Sequence, residues 1–431
     1  MPTPRSLAAI VLAATLISLT AGPPQPTTTT TDATLPLLIG RGKAPAAALL
    51  TRELTAPLPS TAGPLGQRAP AEPQQPHRTR PARFATPVAG TPRPKPPRAM
   101  TAAPKPVRRP RVHFAHAART GPAPTRADHF RVGSITKTFI ATVVLQLAAE
   151  HRLSLSDPVE RHLPGLVRGP GADGRRITLR ALLTHTSGLA DFTAVTHGTP
   201  PPPPPPPRGG PHPPPPPRPP PPPVTPIRAV RTALARPASP KGRWAYSNTN
   251  YVLLGMVIEQ VTGHTYATEA ERRVLGPLRL TGTSFPGART TLPSPHGRAY
   301  TRDGEDVTRL DPRVAGAAGE VISTLADLNR FYASLLTGRL LPAPFLREML
   351  NTRTAHGRYG MGLYPYKLPC GTTVWGHNGH IAGSYVRTAA TRDGRRVLTF
   401  RVNTDKLADP GLETALLAAE FCPRAAQRPS R

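Results

Sequence analysis

The clearest apolar pattern in the chain lies at 136–151, where Phe139, Ile140, Val143, Val144 and Leu147 recur at helical spacing. The stripe is broad enough to predict a buried helix. A short element is predicted to start at Asp157-Pro158-Val159, and helices at 178–183, at 250–260 up to Gly263, and at 411–421. One more helix opens after Ser323 or Thr324, either of which suits an N-cap. Toward the C-terminus the pattern changes to strands at 372–375, 385–391 and 396–403, the last two joined by the turn Arg392-Asp393-Gly394 into a hairpin. Upstream, only Val112-His113-Phe114 reads as a short strand. Mixed helices with a late antiparallel hairpin predict an α+β fold.

Two stretches carry no such pattern. Of the 61 prolines, most fall within 23–110 and 200–226. The first stretch, 22–110, is rich in Pro and Arg and includes a threonine run. It is expected to be disordered, because it offers too little apolar surface to offset the entropy of ordering. The second predicts a polyproline insertion, 198–226, in a surface loop, since proline fits neither a sheet ladder nor a helix interior. The remaining 111–425, about 300 residues, is long enough to bury a proper core.

Charge narrows the partners. Lys and Arg number 55 against 24 Asp and Glu, a formal charge of +31 that favours anionic partners. The arginines are dispersed among prolines with no aromatic stacking platform beside them, so no specific nucleic-acid partner is expected. Anionic cell-wall polymers suit an exported protein better. Export is predicted by Arg5, the uncharged apolar stretch 6–21 and the following Gly22-Pro23-Pro24, the layout of a signal peptide at 1–21. Left uncleaved, the same stretch is a membrane anchor, although it is short for a span. The two cysteines, Cys370 and Cys422, form one disulfide in an exported protein, or else two buried thiols. The 14 histidines lack metal-ligand spacing and no nucleotide-binding glycine loop is present, so no cofactor is expected.

Three short segments carry candidate chemistry. The first is Ser134-Ile135-Thr136-Lys137, at the start of the buried helix. A serine there faces free backbone N–H groups, and Lys137, one turn along on the same face, can accept its proton. Alone, this spacing serves helix capping equally well. The second is Tyr246-Ser247-Asn248: a tyrosine near two cations can have a depressed pKa and shuttle a proton, and the asparagine can orient a substrate amide. The third is Trp375-Gly376-His377-Asn378-Gly379-His380, where small residues let substrate lie along a strand edge and His377 can position a carboxylate.

Taken in this order, the three segments resemble the serine penicillin-recognising hydrolases, the D-alanyl-D-alanine carboxypeptidases and class C β-lactamases. The variant with Tyr-x-Asn and His-x-Gly looks most like the secreted DD-carboxypeptidase branch. Leu182-Leu183-Thr184-His185-Thr186-Ser187-Gly188-Leu189 and Ile322-Ser323-Thr324, followed by Asp327-Leu328, extend the likeness over about 120–421. The resemblance implies a β-lactamase/transpeptidase-like fold, an antiparallel sheet flanked by helices plus a mostly helical subdomain. It implies an acyl-enzyme on Ser134, proton transfers shared by Lys137 and Tyr246, and substrate binding by Asn248, His377, Gly379 and His380. The backbone N–H groups of Ser134 and His380 become the oxyanion hole. His185 and Asp327 are read as hydrogen-bonded scaffolding. The implied substrates are a peptidoglycan stem peptide ending in D-alanine or a β-lactam, with ester hydrolysis and a non-catalytic wall-binding role as alternatives. The family also places an N-terminal helix and core strands before the nucleophile. Here Pro92, Pro94, Pro96 and Pro97 stand where apolar alternation is expected, which predicts a scaffold short of a strand.

Overall fold

Six strands make one fully antiparallel sheet, and its second strand from the edge comes from the segment expected to be disordered. The computed structural model describes residues 31–40, 46–53, 111–116, 125, 127–195 and 224–423. In chain order the main elements are helix α1 (Thr31–Gly40), strands β1 (Ala46–Glu53) and β2 (Arg111–His116), and helices α2 (Thr136–Ala149), α3 (Leu179–Leu183), α4 (Pro226–Leu234), α5 (Asn248–Thr262) and α6 (Leu325–Leu336). There follow β3 (Tyr364–Lys367), β4 (Thr373–Ile381), β5 (Ser384–Ala390), β6 (Arg396–Val402) and helix α7 (Gly411–Phe421). The spatial order is β2-β1-β6-β5-β4-β3. A separate two-stranded pairing joins Phe130–Arg131 to Ile322–Ser323 beside the start of α2.

The sheet is covered on both faces. On one side Ala47 and Leu49 of β1 and Leu398 and Phe400 of β6 share a core with Leu35 and Leu38 of α1 and Leu412 and Leu416 of α7. On the other, Ala48 and Leu50 belong to the large core built around α2, α5 and α6. Helix α2 is buried along nearly its whole length, and Phe139 stacks on Phe331 of α6 with ring centroids 3.8 Å apart. Asn329 of α6 ties the layers together. Its amide donates to Leu50 O at 2.9 Å and its carbonyl accepts from Thr399 Oγ1 at 2.6 Å.

Two expectations are corrected here. The ordered domain does not begin at 111, because α1 and β1 lie within 22–110, and the sheet is not short of a strand. β1 escaped the period-two pattern because both of its faces are buried, so its apolar residues run continuously instead of alternating. α1 carries Pro36 in its interior, which local rules count against a helix. Packing of Leu35 and Leu38 supplies what propensity does not. The expected leader 1–21, the rest of 22–110 and most of the proline insertion lie outside the described residues; its last residue, Pro226, opens α4 behind the N-cap Thr225. Elsewhere the helices and the hairpin fall close to their expected bounds. β4 runs to Ile381, well beyond 375, because Gly376 and Gly379 hide a strand whose backbone packs directly on its neighbours. Thr324 is the cap of α6, accepting from the Asp327 amide.

Candidate active site

Ser134 lies in a single 3-10 turn, Gly133–Ile135, that runs straight into α2. Close backbone approach shapes this turn. Gly133 has φ of +51°, and a β-carbon on it would sit 2.7 Å from His380 N. Opposite, a β-carbon on Gly379 would sit 1.7 Å from Val132 O and 3.3 Å from Ser134 N. Glycine is required at both places. The contact sets the amide of His380 beside that of Ser134, the pair of donors an oxyanion hole needs. The side chain of His380 is exposed, so its part here is its backbone.

Lys137 is wholly buried and its Nζ donates to Ser134 Oγ at 2.9 Å, Asn248 Oδ1 at 2.7 Å and Ala318 O at 2.6 Å. Burial lowers its pKa to about 7, and the Asp191 carboxylate restores only part of the charge's stability. An amine near neutrality at working pH, bonded to a serine hydroxyl, can take that hydroxyl's proton. Asn248 is held in turn. Its Nδ2 donates to Asp191 Oδ2 at 3.0 Å and to Thr193 Oγ1 at 3.2 Å.

The Tyr246 hydroxyl bonds the Ser134 side chain, and Lys137 Nζ lies 5.0 Å from the centre of its ring. Its pKa is raised, chiefly by burial, which corrects the expectation of a depressed phenol. Burial outweighs the bond with Ser134, and the Asp191 carboxylate raises the phenol further. His377 is buried, and desolvation holds its pKa near 3, so the ring is neutral. His377 Nδ1 donates to Asn378 O, and Nε2 accepts from the Tyr359 hydroxyl at 2.8 Å. Both nitrogens are engaged within the protein, and no charge is offered to a substrate carboxylate in this arrangement.

His185 is hydrogen-bonded scaffolding, as expected, and it stands directly against the catalytic tyrosine. It occupies the left-handed region with φ of +58°, and its ring centre lies 4.3 Å from that of Tyr246. Its Nδ1 accepts from the Ser247 amide at 3.2 Å and contacts Asn250 Nδ2 at 3.1 Å, while Ala245 N bonds its carbonyl at 2.9 Å. The residue therefore pins both sides of the tyrosine. Asp327 stays away from the site, accepting from the Gly282 amide and the Thr283 hydroxyl. Cys370 and Cys422 are joined as a disulfide, which ties the turn before β4 to the end of α7.

The structure thus brings Ser134, Lys137, Tyr246 and Asn248 into one hydrogen-bonded cluster, with the His380 amide at its edge. Sequence reasoning missed three members. Asp191 and Thr193 follow directly on the Thr186-Ser187-Gly188-Leu189 segment, and that adjacency was the available signal. Ala318 acts through its carbonyl, for which residue type gives no sign.

This site and sheet define a class, the serine hydrolases that work through an acyl-enzyme beside an antiparallel sheet edge. Residues 106–422 match the Beta-lactamase family, and the chain belongs to it. The solved D-stereospecific amidohydrolase from Streptomyces sp. is 34% identical, with a TM-score of 0.67 over 92% of this chain and 98% of that one. D-amino acid amidase from Ochrobactrum anthropi SV3 shares the fold, at 21% identity and a TM-score of 0.65 over 90% of this chain and 96% of its own. Penicillin-binding protein 4 of Amycolatopsis lactamdurans is 28% identical over 294 residues, 62% of this chain and 71% of that protein. PbpX of Bacillus subtilis is 25% identical over 285 residues, 65% of this chain, and the match spans 64% of PbpX.

Proposed function

We propose that the protein cleaves the amide bond on the carbonyl side of a D-residue, with Ser134 as nucleophile and a neutral leaving group preferred. The observation that carries the substrate class is His377, buried, neutral and bonded at both nitrogens. His377 would offer a free terminal carboxylate no positive charge, whereas a carboxamide needs none. The 34% identity to a D-stereospecific amidohydrolase supports the same reading.

In this mechanism Ser134 Oγ adds to the amide carbonyl carbon as its proton passes to the neutral amine of Lys137. The N–H groups of Ser134 and His380 hold the developing oxyanion. As the C–N bond breaks, the leaving nitrogen takes a proton from the Tyr246 hydroxyl, which regains one from Lys137. Water then attacks the acyl ester and yields its proton to Lys137, and Ser134 leaves with a proton restored. Asn248, held by Asp191 and Thr193, aligns the substrate amide.

A second reading is D-alanyl-D-alanine carboxypeptidase activity on peptidoglycan stem peptides, favoured by the similarity to penicillin-binding protein 4. Incubation with D-phenylalaninamide, its L-enantiomer and a D-Ala-D-Ala peptide separates the two. The amidohydrolase reading expects ammonia from the D-amide alone, lost in Ser134→Ala. Faster release of D-alanine from the peptide than of ammonia from the amide moves the assignment to the carboxypeptidase. Export belongs to the same proposal. It is supported by the composition of 1–21 and by a disulfide that suits an oxidising compartment, and the excess of basic residues suits anionic wall polymers.

A further inference from the structure

Beside the segments that hold the catalytic cluster lies a cavity of about 260 Å³ that the proposed mechanism does not use. Its walls are mostly apolar and include Phe192, Ala229, Val252 and Met256. The polar groups converging on it are Glu259, Glu320 and Tyr266. The Tyr266 hydroxyl donates to Glu320 Oε1 at 2.6 Å, and the Tyr266 amide reaches Glu259 Oε1 at 3.5 Å. Thus one tyrosine links two carboxylates across the same apolar space.

The charge pattern here differs from that at several other buried acids. Asp128 is matched by Arg401 at 3.2 Å, and Glu269 by Arg273 at 2.5 Å and Arg272 at 2.9 Å, while Asp327 is held without arginine by the Gly282 amide and the Thr283 hydroxyl. Among the described residues neither Glu259 nor Glu320 has an ion-pair partner. Arg313 borders the cavity but is paired with Asp311 at 2.6 Å. Burial raises the pKa of both carboxyls, and the Glu259 charge further raises the cost of ionising Glu320. An apolar chamber with two unneutralised carboxylates is complementary to an ammonium group on an apolar body. The aromatic faces of Phe192 and Tyr266 favour the same cation.

We propose that this cavity is a binding site for a small primary ammonium compound bearing one apolar group, separate from the acyl-transfer site. Its position gives binding a consequence. Phe192 lies between Asp191 and Thr193, which hold Asn248, and Ala317 precedes Ala318, whose carbonyl holds Lys137. An occupant therefore touches both segments that set the catalytic side chains.

The test is a binding measurement, so its outcome does not depend on the reaction assigned to Ser134. Phenethylammonium chloride is titrated into the full chain by calorimetry at pH 7.5, beside 2-phenylethanol, its neutral counterpart. The site predicts saturable one-to-one binding of the amine, at least 10-fold tighter than the alcohol. It also predicts at least 10-fold weakening in Glu320→Gln and Glu259→Gln, near-complete loss in Ala229→Phe, and full retention in Ser134→Ala. Equal affinity for amine and alcohol in the parent protein, which needs no variant to fold, overturns the proposal. So does absence of binding, or loss of it in Ser134→Ala.

Discussion

Lys137 reaches Ser134 across 2.9 Å from a position with no solvent exposure, so the amine beside the nucleophile is set by burial and not by a countercharge. The Asp191 carboxylate acts on it only as the lesser influence, and through Asn248 it also fixes where the lysine points.

A pH dependence follows. Acylation needs the neutral amine, so kcat/KM is expected to rise through an apparent pKa of about 7 and level off above it. No falling limb from Tyr246 is expected below pH 10, since its pKa is raised. Initial rates from pH 5.5 to 9.5 check both limbs. Lys137→Met should cost at least about 10³-fold in kcat.

The same lysine makes stability depend on pH. Between pH 7 and its unfolded value of 10.5, the unfolded chain holds a proton on Lys137 that the folded chain does not. The unfolded state binds more protons there, so stability rises with pH across that window. The cost of the lowered pKa is fully present below pH 7 and vanishes above 10.5. Lys137→Met is accordingly expected to gain on the parent at pH 6 and to keep only part of that advantage at pH 9, read as the difference in Tm at each pH.

Gly379 tests the oxyanion pair. A methyl group there meets Val132 O at 1.7 Å, so Gly379→Ala must push β4 away from Ser134. Loss of one donor's alignment is expected to lower kcat by about 10²–10³-fold. Circular dichroism should show the sheet retained, because β4 keeps its pairing with β3 and β5.

The disulfide closes a loop with a sequence separation of 52. On the chain-entropy rule its removal costs about 4 kcal/mol. Cys370→Ser with Cys422→Ser should lower the unfolding free energy from urea titration by about that amount while leaving kcat unchanged below the transition, since neither residue touches the catalytic cluster.

β1 makes the N-terminal segment indispensable. A chain beginning at 106, where the family match begins, retains every catalytic residue but loses a strand hydrogen-bonded on both sides. It also strands the amide of Asn329 and uncovers Leu398 and Phe400. Such a chain is expected to be insoluble, whereas one beginning at 31 should fold. Solubility and near-ultraviolet circular dichroism distinguish them.

Much of this was legible in the chain. The helical stripe from Phe139 to Leu147, the 385–403 hairpin and the Ser134–Lys137 spacing are local signals, and the structure places them close to where they were read. What failed to show was set by distant contacts. β1 reads as a bare apolar run because Leu49 and Leu50 face two different cores. The states of Tyr246 and His377 are both set chiefly by burial, which is not visible in residue type. Ala318 enters through a carbonyl 181 positions away from Lys137.

The most direct measurement is peptide mapping by mass spectrometry after acid quench during turnover of D-phenylalaninamide. The account predicts an acyl adduct on the peptide carrying Ser134, absent in Ser134→Ala and reduced in Lys137→Met. A folded parent that carries no adduct on that peptide, and that hydrolyses D-phenylalaninamide equally well after Ser134→Ala, would contradict it.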